Sequence, residues 1–566
     1  MSAYPSATPL PITPLIDVEA TINGYRWNFT PGSARVLNWS VSGSQWNHPV
    51  LQSAETQEDF KTLFSFVSYY IDARFQFLGY FESGVSHLGY EVAQAAGSNL
   101  NISMAYDGTT SSGQPVRDGM FTNAAQTAFC LFPSQASDYG PYRGAAGDTW
   151  LNWNNPFIRS LDYEVGSEGF ALLLHEVLHG LGLKHPHDSG GTGRPTYADL
   201  DMPFADRQWI SVMSYDRLET GGDGAYDGSM PIAPMIMDVI ALQYLYGESS
   251  GSAGDTGHDL SLYLGEFYNT LWDSSGADTL DAAKLSFGVL ADMGSSEATN
   301  GIRNHNVGFI TTAADAVGLA VFGFNPSRWT WLWGEYENFI GSAHADTVIG
   351  NGLDNRIDGG AGADLLDGAG GNDSLRGGAG IDTAVFLSTR AGFTVQRSGA
   401  DWRVRDISGA EGEDTLAEVE RADFLDRAIA LDTQPGGHGY SAALVLRALA
   451  GTRYLQDPAA AGQVLAYFDA GRSMNEVVAS IVAGATFLQL AGSRSNADFV
   501  DLVYRNVVGA APAAEALGFY VGLLDSGQAT QVSLGVLASV AHLNATSADI
   551  VGVVQNGLTY FPAEGG

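Results

Sequence analysis

Two histidines four residues apart, with a glutamate after the first, are where this sequence could do chemistry. His175, Glu176 and His179 are followed, past Gly182, by His185 (HEVLHGLGLKH). On a helix an i,i+4 pair shares one face, so both imidazoles can reach one point. Gly182 can take a positive φ and release the chain from the helix, which swings His185 back to the same point. Three neutral imidazoles with an open fourth position suit a catalytic zinc ion. Zinc lowers the pKa of a bound water to ~7. Glu176 can take that water's proton as general base. The chain reads KHPHD at 184–188, so His187 competes with His185 for the third place. The spacing after Gly182 favours His185, and His187 is then exposed or supports the site from behind. HExxH alone arises by chance, whereas the five fixed positions of HExxHxxGxxH rarely do.

The helix that must carry these groups has its own signals. Ser167 is a suitable N-cap and Glu168 sits in the first turn. Leu173, Leu174, Val177, Leu178 and Leu181 make the rest apolar and therefore buried. Around it, the texture of the chain divides into a short leader, residues 1–15, and four regions. Residues 16–247 mix helical stretches such as Gln57–Phe75 with strand-like ones such as Leu100–Met104. Residues 248–386 are rich in Gly, Asp and Asn. Residues 387–435 alternate apolar and polar residues and predict short strands. Residues 436–566 carry Ala, Leu and Val at helical spacing and predict a small all-α domain.

The second region holds an internal repeat. In nines from Gly341 it reads GSAHADTVI, GNGLDNRID, GGAGADLLD, GAGGNDSLR and GGAGIDTAV. The third copy fits GGxGxDxUx fully, the fourth and fifth nearly, and the first two are degraded. Glycine permits the tight turns without a Cβ clash. The sixth positions, Asp346, Asn355, Asp364, Asp373 and Asp382, offer side-chain oxygens. The eighth positions, Val348, Ile357, Leu366, Leu375 and Ala384, form an inward apolar row. Stacked turns sharing calcium make a parallel β-roll. With the repeat glycines Gly359, Gly360, Gly362, Gly368, Gly371, Gly377, Gly378 and Gly380, the sixth-position residues are the expected calcium-binding set. The pattern resembles the RTX repeats of secreted bacterial proteins.

Composition agrees with a need for cations. Against 27 basic residues stand 63 acidic ones, a formal charge of −36. Such a chain should not bind nucleic acid or anionic lipid by bulk electrostatics. At 45% hydrophobic residues it can build real cores. The one cysteine, Cys130, permits no internal disulfide and reads as a small buried hydrophobe. No apolar run reaches the ~18 residues of a membrane span. Residues 1–15 lack the basic and apolar regions of a signal peptide. The sequons at Asn28, Asn38, Asn101 and Asn544 carry no weight.

The extended zinc motif resembles that of the metzincins, which carry a methionine turn downstream. Here SVMSY spans Ser211–Tyr215, and the resemblance makes Met213 that methionine. Tyr215 matches the serralysin pattern, in which the tyrosine is an extra zinc ligand that moves away to stabilise the oxyanion. Asp188–Ala205 (DSGGTGRPTYADLDMPFA) and Ile232–Gly247 (IAPMIMDVIALQYLYG) are similar to serralysin segments as well. Ser252–Thr256 (SAGDT) and Trp272–Asp281 (WDSSGADTLD) resemble loops holding the first calcium ions. The resemblance implies Asp273 and Asp278 as carboxylate ligands, Gly254 and Gly276 as carbonyl ligands, Thr256 in the same loop, and Glu337 (YENFIG) as a further ligand. It covers roughly Ile16 to Phe386. A long propeptide is not expected, and Cys130 lies within the catalytic region, so a cysteine switch is not expected either. Ala497–Gly527 resembles a helical domain found at the ends of many secreted RTX-type proteins.

The resulting expectation is a multidomain α+β chain: a metzincin catalytic domain, a parallel β-roll, a small β segment and a C-terminal all-α domain. Function would be zinc-dependent endopeptidase activity on polypeptides, with one zinc and several calcium ions. Location would be extracellular or cell-surface, reached by type I secretion with a C-terminal signal. The helical domain would meet a surface-layer or cell-surface partner. A calcium-dependent adhesion protein is the competing reading; a pure adhesin has no need of His175, Glu176, His179, His185, Met213 and Tyr215 together.

Overall fold

Leu37, Trp39 and Val41 alternate with Ser40 and Ser42, and all five are buried. Such a stretch belongs in a strand covered on both faces. It forms β1 (Val36–Ser44), followed by α1 (Ala54–Tyr70) and β2 (Arg74–Ser83). β3 (Leu100–Ala105), β4 (Ala128–Cys130) and β5 (Thr149–Asn152) complete a five-stranded sheet of order β2-β1-β3-β5-β4. Its strands are parallel except the edge strand β4, which runs antiparallel to β5. The buried serines are satisfied by one another's neighbours: Ser40 Oγ donates to Asn101 Oδ1 at 2.9 Å, and Ser42 pairs with Ser103.

These coordinates are a computed structural model describing residues 3–6, 10–11, 16–44, 49–83, 89–105, 107–109, 115–117, 121, 125–134, 144–189, 192–202, 205–215, 229–251, 253–294, 307–316 and 326–562. Most of the leader and Ser252 of the first calcium loop lie outside them. The chain divides into two compact units: residues 1–280 with 290–336, and residues 281–289 with 337–566.

The first unit is built on the sheet and two buried helices, α2 (Glu168–Gly180) and α3 (Ile236–Tyr246). Its core joins Phe60, Leu63 and Val67 of α1 to Leu174, Val177 and Leu178 of α2 and Ile236, Val239 and Leu242 of α3. Three further strands, β6 (Phe267–Trp272), β7 (Val307–Thr312) and β8 (Trp329–Trp333), add Trp329, Trp331 and Phe309 to that core. One expectation needs correction: the helix predicted over Gln57–Phe75 stops at Tyr70. Ile71 is extended, and Phe75 and Phe77 alternate into β2, where they pack on the core. The β-branched residue and the two-residue period decide it.

In the second unit the repeats fold as stacked turns. β9 (Asn338–Ile340), β11 (Arg356–Ala361) and β13 (Ser374–Ala379) pair in parallel in one sheet. β10 (Thr347–Asn351), β12 (Leu365–Ala369) and β14 (Thr383–Phe386) do so in another. Each strand thus meets the one two repeats on, 18 residues away. Val348, Ile357, Leu366, Leu375 and Ala384 are all fully buried, which is the expected inward row.

A hairpin, β15 (Phe393–Ser398) and β16 (Asp401–Asp406), comes next, then β17 (Glu413–Ala417), β18 (Arg421–Phe424) and β19 (Arg427–Ala430). Helices fill most of the rest. The central one, α4 (His438–Ala450), is buried on nearly every face, and Arg447 ties it to Asp549 and Asn544. β20 (Leu558–Tyr560) returns to pair with β19. Asn544 is fully buried, as is Asn101, so neither sequon presents an acceptor. No single helix among the described residues is long and apolar enough to cross a membrane.

Candidate metal centres

Helix α2 begins as its sequence directs: Ser167 Oγ accepts from Phe170 N at 3.1 Å. It places His175 and His179 on one face, their rings 4.8 Å apart. The chain then turns at Gly182, whose φ is +104°. A Cβ there would overlap the Tyr25 carbonyl, so glycine is required by conformation and by space. Past the turn, His185 Nε2 lies 3.1 Å from His175 Nε2 and 3.0 Å from His179 Nε2.

The other ring nitrogens fix the chemistry of these three. His175 Nδ1 contacts the Val212 carbonyl at 2.9 Å, and His179 Nδ1 the Leu183 carbonyl at 2.7 Å. A carbonyl only accepts, so both Nδ1 atoms carry the proton. His185 Nδ1 donates to Asp188 Oδ2 at 2.7 Å. Three Nε2 lone pairs therefore converge on one point, an arrangement that repels itself unless a cation sits there. Tetrahedral zinc with Zn–N of ~2.0–2.1 Å places its nitrogens ~3.3 Å apart, close to the spacing seen. Burial also favours the neutral ligand form, holding the His179 imidazole well below its usual pKa and the His185 imidazole below it.

Glu176 is buried beside this point, and its Oε2 has no hydrogen-bond partner. Burial pushes its carboxyl up to about 8. Tyr215 lies with its hydroxyl 2.7 Å from His185 Nε2 and its ring stacked on His175. Met213 is fully buried in the segment whose Val212 carbonyl orients His175. His187 is outside the converging set; its ring stacks parallel on that of His185, and Nδ1 faces Asp206 at 3.5 Å. Cys130 is free, with its thiol 3.6 Å from the Gly147 carbonyl. Burial raises its pKa well above the usual thiol value, which disfavours the reactive thiolate.

Several positioning residues escaped the sequence reading. Asp238, fully buried on α3, accepts from Ser211 Oγ and Val212 N, both at 2.7 Å, and so clamps the segment that holds His175. Burial pushes its carboxyl up to about 7. Lys184 is fully buried, its ammonium 2.7 Å from the carbonyls of Ala20 and Asp188. Asp188, three residues past His185, could have been found from that spacing; Asp238 reaches Val212 from 26 residues away, and Lys184 reaches Ala20 from 164.

A second cluster sits in the Asp-rich loops of the first unit. Thr256 Oγ1 donates to Asp273 Oδ2 at 2.6 Å, and Thr256 N to Asp278 Oδ1 at 2.8 Å. Gly276 approaches the Gly254 carbonyl so closely that a Cβ would overlap it. Gly254, Thr256, Asp273, Gly276 and Asp278 are thus brought together, and His258, not foreseen, joins Asp273 at 3.0 Å. Asp273 and Asp278 are both buried. Glu337 falls in the other unit, where its carbonyl accepts from Arg356 N.

In the repeats, three sixth-position side chains, those of Asp364, Asp373 and Asp382, each cap the turn 18 residues earlier. Asp346 N donates to Asp364 Oδ1, Asn355 N to Asp373 Oδ1 and Asp364 N to Asp382 Oδ1, at 2.7–2.9 Å. The second carboxylate oxygens of Asp364, Asp373 and Asp382 are buried with no hydrogen-bond partner. Burial and neighbouring carboxylates push Asp364 up to about 7; burial and Asp414 push Asp373 up to about 8. Rows of buried, partnerless carboxylate oxygens fit calcium, a hard cation that takes oxygen ligands. The glycines at second and fourth positions, such as Gly360 and Gly362, are left-handed and stack so tightly that side chains would overlap the next turn's backbone.

Comparison with known proteins finds one repeat family and several relatives. Residues 349–384 match the RTX calcium-binding nonapeptide repeat, in four copies. Serralysin C of Dickeya chrysanthemi is 35% identical over 187 residues, 29% of this chain and 38% of that protein. Serralysin G of the same organism is 33% identical over 286 residues, 46% of this chain and 52% of that protein. Metallopeptidase AprA of Pseudomonas marginalis is 29% identical over 250 residues, 41% of this chain and 46% of that protein. The chain therefore spans about half the length or less of these relatives. Its resemblance to serralysin-type metalloproteases with RTX repeats is carried by these similarities together with the motifs.

Proposed function

We propose that this chain is a secreted, zinc-dependent endopeptidase of the metzincin type, cutting peptide bonds of extracellular or surface proteins. The observation that carries the reading is the convergence of three deprotonated Nε2 atoms beside a buried, partnerless glutamate oxygen. His175, His179 and His185 would hold the zinc. When bound, the ion supplies Lewis acidity and a water acidified to ~7. Glu176 then receives the water's proton and passes it to the leaving amine. The Tyr215 hydroxyl donates a hydrogen bond to the oxygen on which negative charge develops. An extended substrate would lie along the sheet's edge strand, β4. Phe132, just past that strand, meets His179 edge-on.

The repeats would bind several calcium ions. In a calcium-poor cytosol their carboxylates repel one another, and outside the cell calcium drives folding. That asymmetry suits type I secretion. The C-terminal helical region would engage a surface-layer or cell-surface partner and tether the enzyme. The adhesion reading without catalysis leaves the buried Glu176 without a purpose.

Casein hydrolysis in millimolar calcium tests the activity. The parent should cleave casein, and Glu176→Ala should not while keeping about one zinc per chain. Equal activity in both would remove Glu176 from the mechanism. Zinc without activity in either would favour the binding role.

A further inference from the structure

The roll runs one turn further than its regular repeats. The repeat match ends at residue 384. The nine-residue period then breaks, and the chain makes the β15–β16 hairpin before entering β17. Yet β17 takes the place of the next turn: Ser374 pairs with Thr415 and Leu375 with Leu416, in parallel, as β11 pairs with β13. Asp373 N donates to Asp414 Oδ1 at 3.0 Å, repeating the bond from Asn355 N to Asp373, across 41 residues instead of 18. Leu416 is buried in line with the inward row. A Cβ on Gly412 would overlap the Gly371 carbonyl, as one on Gly380 would overlap that of Gly362. Read from Gly409, the sequence is GAEGEDTLA, with glycine first and fourth, aspartate sixth and leucine eighth.

We infer that residues 409–417 form a sixth calcium-binding turn, displaced from the other five by an inserted hairpin, and that Asp414 and Asp373 together hold a calcium ion. The inference rests on the calcium reading of the repeats. What points to a ligand is Asp373 Oδ2, on a side chain only 2% exposed, which has no hydrogen-bond partner. Asp414, 5% exposed, sits across from it. Two carboxylates buried side by side need protons or a cation between them.

The sixth turn differs from the others at its entrance. The left-handed residues are Gly409 and Gly412, at first and fourth positions rather than second and fourth. The reason is that β16 feeds this turn from the side, with Asp406 N donating to the Gly412 carbonyl. The turn after it is reduced further. Asp382 N donates to Glu420 Oε2 at 3.0 Å, and Asp382 Oδ2 is also buried without a partner. Glu420 thus stands where a sixth-position aspartate would be, in a turn with no glycine, and ends the stack.

Calcium bound per full-length chain, measured by equilibrium dialysis with elemental analysis, decides the matter. The parent is compared with Asp414→Ala and Asp414→Asn. Each variant should bind one calcium fewer than the parent. A full complement in both variants would overturn the sixth turn and leave the other five intact. A parent that binds no calcium would instead sink the calcium reading of the whole region. If Asp414→Ala aggregates, Asp414→Asn suffices: it keeps an oxygen for Asp373 N and loses only the charge.

Discussion

The two metal regions gather their ligands in opposite ways. At the histidines, each candidate ligand is held by the protein itself. His175 and His179 stand on a capped, buried helix, and Val212, Leu183 and Asp188 each fix one ring. The cost of leaving the point empty is confined to three neutral lone pairs. In the repeats, the inward row is a single file of small and medium residues, and the turns bury carboxylates that repel one another. On the proposed reading, a cation would be part of the fold there. One region would then be preorganised for reaction, and the other assembled by what it binds.

This contrast can be broken in several places. The largest effect should come from Glu176→Gln, which keeps shape and zinc while removing the base; kcat/KM should fall by ~10²–10⁴-fold, read from steady-state peptide hydrolysis. Next is Asp188→Ala, which frees the His185 ring. Zinc affinity should weaken by ~10–100-fold with thermal stability little changed, as chelator competition would report. If affinity held, the preorganisation argument would lose its clearest support. Tyr215→Phe removes only a hydrogen-bond donor; kcat should drop by roughly 10–10²-fold with KM nearly constant.

The smallest effect is on the roll without calcium. The carboxyls of Asp364 and Asp373 are raised above their unfolded values, to about 7 and about 8. Raised carboxyls stabilise the fold fully below the unfolded pKa of ~4 and lose that contribution as pH rises through the folded values. Chelated protein should therefore hold more β structure at pH 5 than at pH 8 by circular dichroism. With calcium present the difference should disappear.

How much of this was legible in sequence depends on distance along the chain. The histidine cluster was legible because helix periodicity and one glycine turn suffice to bring three histidines together within eleven residues. The repeats were legible because their period is short. Asp238 could be seen as part of a family-like segment, but not as the clamp on Val212, because 26 residues and a helix boundary intervene. The helix over-extended to Phe75 shows the same weakness: apolar spacing alone does not mark where a helix gives way to a strand. The turn at 409–417 was hidden by its own hairpin, which breaks the period while leaving the spatial register intact.

Hydrogen exchange read by mass spectrometry under selective metal removal tests the contrast most directly. One sample loses zinc with calcium kept, and another loses calcium with zinc kept. The account predicts that peptides over residues 168–185 stay protected without zinc, while those over 347–417 exchange freely without calcium. Loss of protection over 168–185 on removing zinc, or full protection of 347–417 in a calcium chelator, would contradict it.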